Sequence, residues 1–505
     1  MENILLLVLA IIPIIFAIIR YKSRGKTRLP PGPPGLPLIG NLHQLKEPLH
    51  EYFFELSKKY GPLLFLKLGS RPVLVANSSR LAEEIMKTQD LVFCSRPSLL
   101  GFRKLSYEFY DIALSPYTEY WREMRKITVL HLLSTKQVQS FRPILEDEVG
   151  RLVQEISDQA SKSETINMNE KIVFLMSTII CRIAFGKRYE PGTGESEEFR
   201  RMIQEFQSAV LDFYFTDYFP WIGFLDKLTG KISHLDKIFK DWDAFYQQIL
   251  DEHLSPDRPE SLNDDIVDIM LQLREDESGW AYKIPLDHIK AVLMNVYFAS
   301  ADTITTTMLW TMTALMRKPD VLKKAQAEVR ALPLVENKHM VSEEDIAAVG
   351  LPYVNAVIKE ALRLHTTLPL LIPRETREKC TIDGYEIPAK TMVYVNVWAA
   401  GNDPNVWENP EEFKPERFLG DDERFSTIDF KGQDFNLTPF GAGRRGCPGI
   451  TMGLAIVQLA LANLLYMFDW DLPDGLRPED VDIEIFPGMA SHKKNPLFVM
   501  AKKYA

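Results

Sequence analysis

The segment from Pro439 to Gly449, Pro-Phe-Gly-Ala-Gly-Arg-Arg-Gly-Cys-Pro-Gly, sets one cysteine in a glycine-rich loop beside two arginines. Glycines let backbone N–H groups approach a sulfur, and such donors tune a metal that the sulfur binds. A thiolate presented in this way suits the iron of a porphyrin, where its electron density favours O–O cleavage. The same letters carry a rival, because Gly441, Gly443 and Gly446 satisfy G-x-G-x-x-G and Asp469 lies near the distance of a ribose-binding acid. That fingerprint needs an apolar strand before it and a helix running from its last glycine. Pro439 stands where the strand should end, and Pro448 and Gly449 stand where the helix should be established. The helical pattern starts only after the cysteine, at about Ile450. A cysteine in an ordinary turn remains the plainer alternative.

Three further groupings carry charge or acid–alcohol chemistry. Glu360-Ala-Leu-Arg363 puts a carboxylate and a guanidinium on one helix face. A solvated surface pair is the plain reading, and the apolar neighbours Val357, Ile358, Leu362 and Leu364 favour burial instead. Trp121 and Arg125 lie four apart on a second helical stretch, where surface amphipathicity is the competing explanation. Asp302-Thr303 follows Asn295-Val-Tyr-Phe-Ala-Ser-Ala301. An acid that relays protons beside an alcohol that holds water is what reductive cleavage of oxygen requires. Thr303, like Thr305 to Thr307, can equally bond back to a helix carbonyl.

Taken together, these motifs resemble a membrane-bound cytochrome P-450 of the plant microsomal A-type, over essentially the whole length of the chain. Phe440, Gly443, Arg445, Cys447 and Gly449 match that family's Phe-x-x-Gly-x-Arg-x-Cys-x-Gly without departure. The resemblance implies haem b with Cys447 as axial ligand, and Arg445, Trp121, Arg125 and Arg374 gripping its propionates. It joins Glu360 and Arg363 to Arg417 of Pro415-Glu-Arg-Phe418 in a structural clamp. It also makes Asp302 and Thr303 the oxygen-handling pair. One departure stands out: Ser300 occupies a position where the family commonly has glycine. The implied substrate pocket draws on Leu100, Phe109, Phe213, Phe298, Ala299, the strand Leu368 to Ile372 with Leu370, and Phe486. These side chains are mostly apolar, suiting an apolar small molecule, and ordinary core packing is the competing reading for each.

The expected reaction is insertion of one oxygen atom into a small molecule of plant specialised metabolism: a terpenoid, alkaloid, phenolic or aldoxime. Electrons come from NADPH through a separate NADPH-cytochrome P-450 reductase, with cytochrome b5 a further possible donor. Arg122, Arg125, Lys126 and Arg444 are expected to dock the reductase. Two alternatives stay open at this stage: a haem-thiolate isomerase or dehydratase needing neither O2 nor reductase, and a membrane-tethered haem carrier.

The elements that must position these residues are mainly helical with small β-sheets, an α+β class. Apolar periodicity predicts helices near 169–186, 286–317, 320–331, 352–365 and 450–466, and a hairpin from Leu63–Leu68 to Val73–Ala76 around Gly69-Ser-Arg-Pro72. Short extended pieces are expected near Ile483–Phe486 and Leu497–Met500. The acidic stretch Asp251 to Ser278 reads as an exposed connection. With 505 residues, 46% hydrophobic and 25% charged, the chain can bury a large core. A net charge of −10 argues against nucleic acid. Cys94, Cys181, Cys380 and Cys447 show no C-x-x-C spacing, which argues against zinc and a disulfide framework.

Ile4 to Ile19 is an apolar run followed by Arg20, Lys22, Arg24, Lys26 and Arg28. Charge after the run, not before it, favours a membrane anchor over a cleaved signal peptide and keeps the body cytosolic. The expected division is an anchor at 1–20, a basic and proline-rich linker at 21–41 and a haem-binding catalytic domain at 42–505, single-pass in the endoplasmic reticulum membrane. Within Leu29 to Asn41 the prolines make a stiff connector. Its P-x-x-P spacings admit an SH3-ligand reading, while Leu36, Leu38 and Ile39 are expected to tuck into the core.

Overall fold

The computed structural model describes residues 28–189, 194–258, 264–276, 284–333, 340–420 and 423–504. The expected anchor at 1–20 lies outside the described residues. Each long apolar-periodic run forms a helix: Met168–Phe185, Leu286–Arg317, Pro319–Arg330, Pro352–Leu364 and Ile450–Met467. Local chemistry sets the ends. Asn167 caps the first of these through the N–H of Asn169 (3.2 Å), and Gly186 closes it in a left-handed turn. Prolines open the helices at 319 and 352, where a missing N–H costs nothing.

Leu286–Arg317 is the central helix, packed along Met168–Phe185 and touched by Pro352–Leu364 and Ile450–Met467. Ile450–Met467 is long and apolar enough to cross a membrane, but more than half of it is buried against Arg142–Ser161 and Pro319–Arg330. It is a core helix. Four short strands form the largest sheet in the order Leu63–Leu68, Arg71–Ala76, Met392–Val395, Arg374–Glu375. The first two make the expected hairpin, with the second strand starting at Arg71 instead of Val73. A second sheet joins Phe498–Lys503 to Ile166–Asn167 and Phe468–Asp471. A two-stranded ribbon pairs Ile485–Phe486 with His492–Lys493.

Three expectations are corrected. The acidic stretch at 251–278 holds a helix, Ile266–Glu275, capped by a reciprocal Asp265–Asp268 box, with Ile266, Val267, Met270 and Leu271 buried. Its acidic flanks hid a one-sided apolar stripe. Leu368–Ile372 is a turn with Leu371 at φ +53°, and the strand begins only at Arg374. Leu36, Leu38 and Ile39 lie on the surface, Leu38 at 67% exposure. The connector docks through its backbone: Pro31 O accepts from Phe65 N–H (3.0 Å), and the Asn41 side chain bridges Pro33 O and Lys67 N–H. The Leu36, Leu38 and Ile39 side chains are thereby left outside.

Candidate active site

The cysteine loop closes on itself: Cys447 N–H donates to Phe440 O (2.9 Å) and Gly441 N–H to Thr438 O (2.9 Å). Gly443 sits at φ +68°, and a Cβ there would lie 2.2 Å from Met86 O, so the turn excludes every side chain. The Cys447 side chain is accessible, yet the surrounding protein desolvates it. Burial pushes its thiol pKa up, opposed by the Gly449 N–H and by Arg125. Phe440 is half-buried, edge-on to Phe430 at 5.7 Å.

Around this loop the described structure gathers guanidinium groups. Arg445 is buried, with Nε donating to Cys94 O and Nη2 to Ser115 O (both 2.7 Å), and it lies 4.0 Å over the Trp121 ring. The Trp121 indole donates to Ile112 O (2.8 Å), so it orients Arg445 while holding the 109–115 loop. Arg374 meets Asp90 Oδ1 at 3.3 Å and donates to Ala442 O (3.0 Å). Arg125 donates to Gly446 O and also lines the surface depression it shares with Arg122, Lys126 and Arg444. Sequence reasoning missed a fourth member, Arg96, which donates to Ala113 O (2.9 Å), Ile372 O (2.6 Å) and Pro373 O (3.0 Å). An arginine between Ser95 and Pro97, just after the apolar run Leu91-Val92-Phe93, was the available signal.

Glu360, Arg363 and Arg417 come together with no solvent access to the first two. Arg363 meets both Glu360 oxygens at 2.8 Å, and Arg417 Nε reaches Oε1 at 3.0 Å. Arg363 further donates to Gly401 O (2.7 Å) and Glu412 O (3.2 Å). A carboxylate so deeply buried is tolerable because each oxygen is paired.

The central helix and the helix that follows the cysteine touch where a Cβ at Gly453 would lie 3.9 Å from Ile304 Cγ1. In mid-helix, after the buried run 289–297, Ala299 is accessible and Phe298 and Ser300 to Thr303 beside it are partly so. Thr303 Oγ1 donates to Ala299 O (2.6 Å), the back-bonding geometry also found at Thr306 and Thr307. That leaves the Thr303 oxygen its lone pairs. The helix runs unbroken through Ser300. Asp302 is not alone: its Oδ1 accepts from Gln207 Nε2 (2.9 Å) and lies 3.3 Å from His492 Nε2. No local pattern predicts either partner, since they are 95 and 190 residues away along the chain.

The expected pocket residues divide. Phe298 stacks on Phe206 (3.6 Å between ring centres) and is half-buried, as are Leu100, Phe109, Leu368 and Ile372. Leu370 leans on the Phe53–Leu64–Val73 cluster under the large sheet. Phe213 is exposed and stacked on Tyr218 (5.1 Å), in a surface aromatic group and not in the interior. Phe486 is exposed too and stands opposite His492 in the two-stranded ribbon. Phe213 lies on the irregular segment before the short helix Phe215–Tyr218, and Phe486 on a ribbon strand whose outer face is exposed.

Charge balance indicates what the loop was built to hold. Burial lowers the pKa of all four arginines, Arg445 down to about 9 and Arg96 well below its usual range, and mutual repulsion adds to the effect at Arg96 and Arg445. The nearby Asp111 gives little relief, because burial pushes its own pKa up. Further carboxylates would offset much of this positive charge, and a porphyrin carries two propionates and an iron that takes a thiolate. The class so defined is that of haem-thiolate proteins.

The cytochrome P450 family model matches residues 30–500. The 6,7,8-trihydroxycoumarin synthase of Pastinaca sativa is 46% identical over 100% of this chain and 99% of its own. The 5-OH-xanthotoxin synthase of the same plant is 46% identical over 97% and 96%, and cytochrome P450 71A9 of Glycine max is 46% identical over 96% and 95%. A zebrafish cytochrome P450 solved with abiraterone shares the fold at a TM-score of 0.74 and 24% identity, covering 91% of this chain and all of that one. The chain belongs to the cytochrome P450 family, as a plant A-type member. It is a monooxygenase of plant specialised metabolism with haem b as cofactor, and the family's arrangement brings electrons from NADPH through a redox partner.

Proposed function

We propose that the enzyme hydroxylates a flat, apolar phenolic of the coumarin type, using electrons from NADPH-cytochrome P-450 reductase. The stacked Phe206–Phe298 pair carries this reading: Phe298 adjoins the accessible Ala299, so an aromatic wall borders the accessible stretch of the central helix. Relatives named for hydroxylated coumarin products point the same way. Haem b, bound through the Cys447 thiolate, supplies oxygen activation and hydrogen-atom abstraction. The chain's own residues do the rest. Arg96, Arg125, Arg374 and Arg445 orient the porphyrin through its carboxylates, with Trp121 setting Arg445. Glu360, Arg363 and Arg417 hold the fold beneath it. Thr303 keeps a water by its free lone pairs, and Asp302 exchanges protons with that water.

The reductase would dock over a depression of about 400 Å³ lined by Arg122, Lys126, Arg444 and the exposed Val129 and Leu130. Arg444 is partly committed to Asp90 (2.7 Å), so Arg122 carries more of the steering than Arg444 does. The exposed Leu36 and Leu38 approach the exposed Trp221, Phe224 and Leu228 through a shared turn, where Gly69 N–H bonds Ile39 O and Ser70 N–H bonds Tyr218 O. We place the endoplasmic reticulum membrane against this surface, continuing from an anchor at 1–20. Screening coumarins for displacement of the haem water, followed by turnover with reductase, tests the proposal. A product that forms without NADPH would contradict it.

A further inference from the structure

His492 stands apart from every residue considered for catalysis, yet its ring is wedged between two groups of the oxygen-handling helix. Nε2 lies 3.3 Å from Asp302 Oδ1, and Nδ1 lies 3.1 Å from Thr306 Oγ1. Thr306 donates its own hydroxyl proton to Asp302 O (2.9 Å). Its oxygen can then only accept from Nδ1, while the carboxylate requires a donor at Nε2. Both contacts are satisfied when the ring carries two protons. The strand that bears His492 is pinned in register: Ser491 O accepts from the Trp310 indole (2.6 Å), and Ser491 N–H donates to Thr367 O (2.9 Å). Trp310 is two helical turns beyond Thr303 on the same helix, so the helix itself fixes where His492 sits.

We propose that His492, as an imidazolium, is a positioning residue for Asp302: with Gln207 it immobilises Oδ1 and leaves Oδ2 to exchange protons during oxygen reduction. Among the described residues Oδ2 has no hydrogen-bond partner, whereas Oδ1 has two. Burial works against a charged His492, but its hydrogen bond and ion pair with Asp302 together outweigh that and raise its pKa; Gln207 and Thr306 are neutral, and the adjacent Lys493 is turned to Asp482 (3.1 Å). Because the folded-state pKa is raised, the hold is complete in acid and is lost as pH rises through that value. The proposal rests on the reading of Asp302 and Thr303 as the oxygen-handling pair.

The test uses the full-length enzyme with reductase and NADPH and no organic substrate, reading hydrogen peroxide released per NADPH consumed from pH 6 to 9. We expect the wild-type ratio to climb with pH. His492→Phe should give a ratio raised several-fold at every pH, and His492→Gln, a neutral donor of similar reach, a low ratio without the pH dependence. An independent readout is the His492 imidazole titration by NMR of 15N-histidine-labelled enzyme in its diamagnetic reduced carbonyl form, the signal being identified by its loss in His492→Gln. Its pKa should drop in Asp302→Asn. If Asp302→Asn changes the peroxide ratio but His492→Phe leaves both ratio and pH profile at wild type, the positioning role is wrong. If Asp302→Asn changes neither ratio nor the His492 pKa, the oxygen-handling reading falls with it.

Discussion

On the cysteine side of the site, Glu360 takes both Arg363 and Arg417, four arginines crowd the 440–447 loop, and nearly every polar contact is buried. On the side of the central helix, Asp302 and His492 remain partly accessible, Thr303 bonds only its own helix, and the partners come from distant segments. The first region is over-determined, so one lost contact leaves a stranded charge. The second is held by single contacts that can be exchanged as protons move. Rigidity is needed where the cofactor is gripped, and adjustability where water and substrate must enter.

The sharpest way to break that contrast is at the cysteine. Cys447→Ser should abolish the red-shifted Soret band of the reduced carbonyl complex, and persistence of the band would remove the thiolate from the account. Glu360→Ala strands Arg363 and Arg417, and chemical denaturation should register a loss of roughly 3–5 kcal/mol. A loss near zero would mean that the clamp is wetter than its complete burial indicates.

A buried carboxylate of opposite sign is Asp217, on the short helix Phe215–Tyr218 beside Leu100 and Arg71. Its Oδ1 accepts from Leu100 N–H (2.9 Å), but burial raises its pKa to about 6. A raised carboxyl pKa favours the protonated folded form, so a folding cost appears as pH climbs from about 4 and is complete above about 6. Asp217→Asn should therefore stabilise the enzyme by up to about 3 kcal/mol at pH 7.5 and not at all at pH 4. Equal melting shifts at both pH values would reject this.

Arg96→Met should speed haem transfer to an acceptor globin by about tenfold or more, the scale of a lost charged hydrogen bond of roughly 1.5–3 kcal/mol. Unchanged transfer would shrink the cluster to three arginines. Thr303→Ala, the mildest, should keep haem content and stability while diverting a few-fold more NADPH to hydrogen peroxide. An unaltered peroxide yield would show that its hydroxyl serves only the helix.

The sequence alone determined the cysteine loop, because its constraints are local: Gly441 and Gly443 take positive φ that side chains disfavour, and the proline and glycine after Cys447 delay the helix. It determined the long helices for the same reason, since a 3.6-residue apolar period needs no knowledge of the partner surface. Glu360 and Arg363 were legible as neighbours on one turn, but their burial was decided by Gly401, Glu412 and Arg417 closing around them. Arg96, Gln207 and His492 entered the site only through tertiary structure. Each lies on a separate segment, and the pairings of Gln207 and His492 across 95 and 190 residues and of Arg96 with Ile372 and Pro373 leave no periodicity to read. The exposure of Leu38, Phe213 and Phe486 follows the same logic. An apolar side chain declares a preference for burial, while the backbone's own hydrogen bonds decide which side of the chain faces the core.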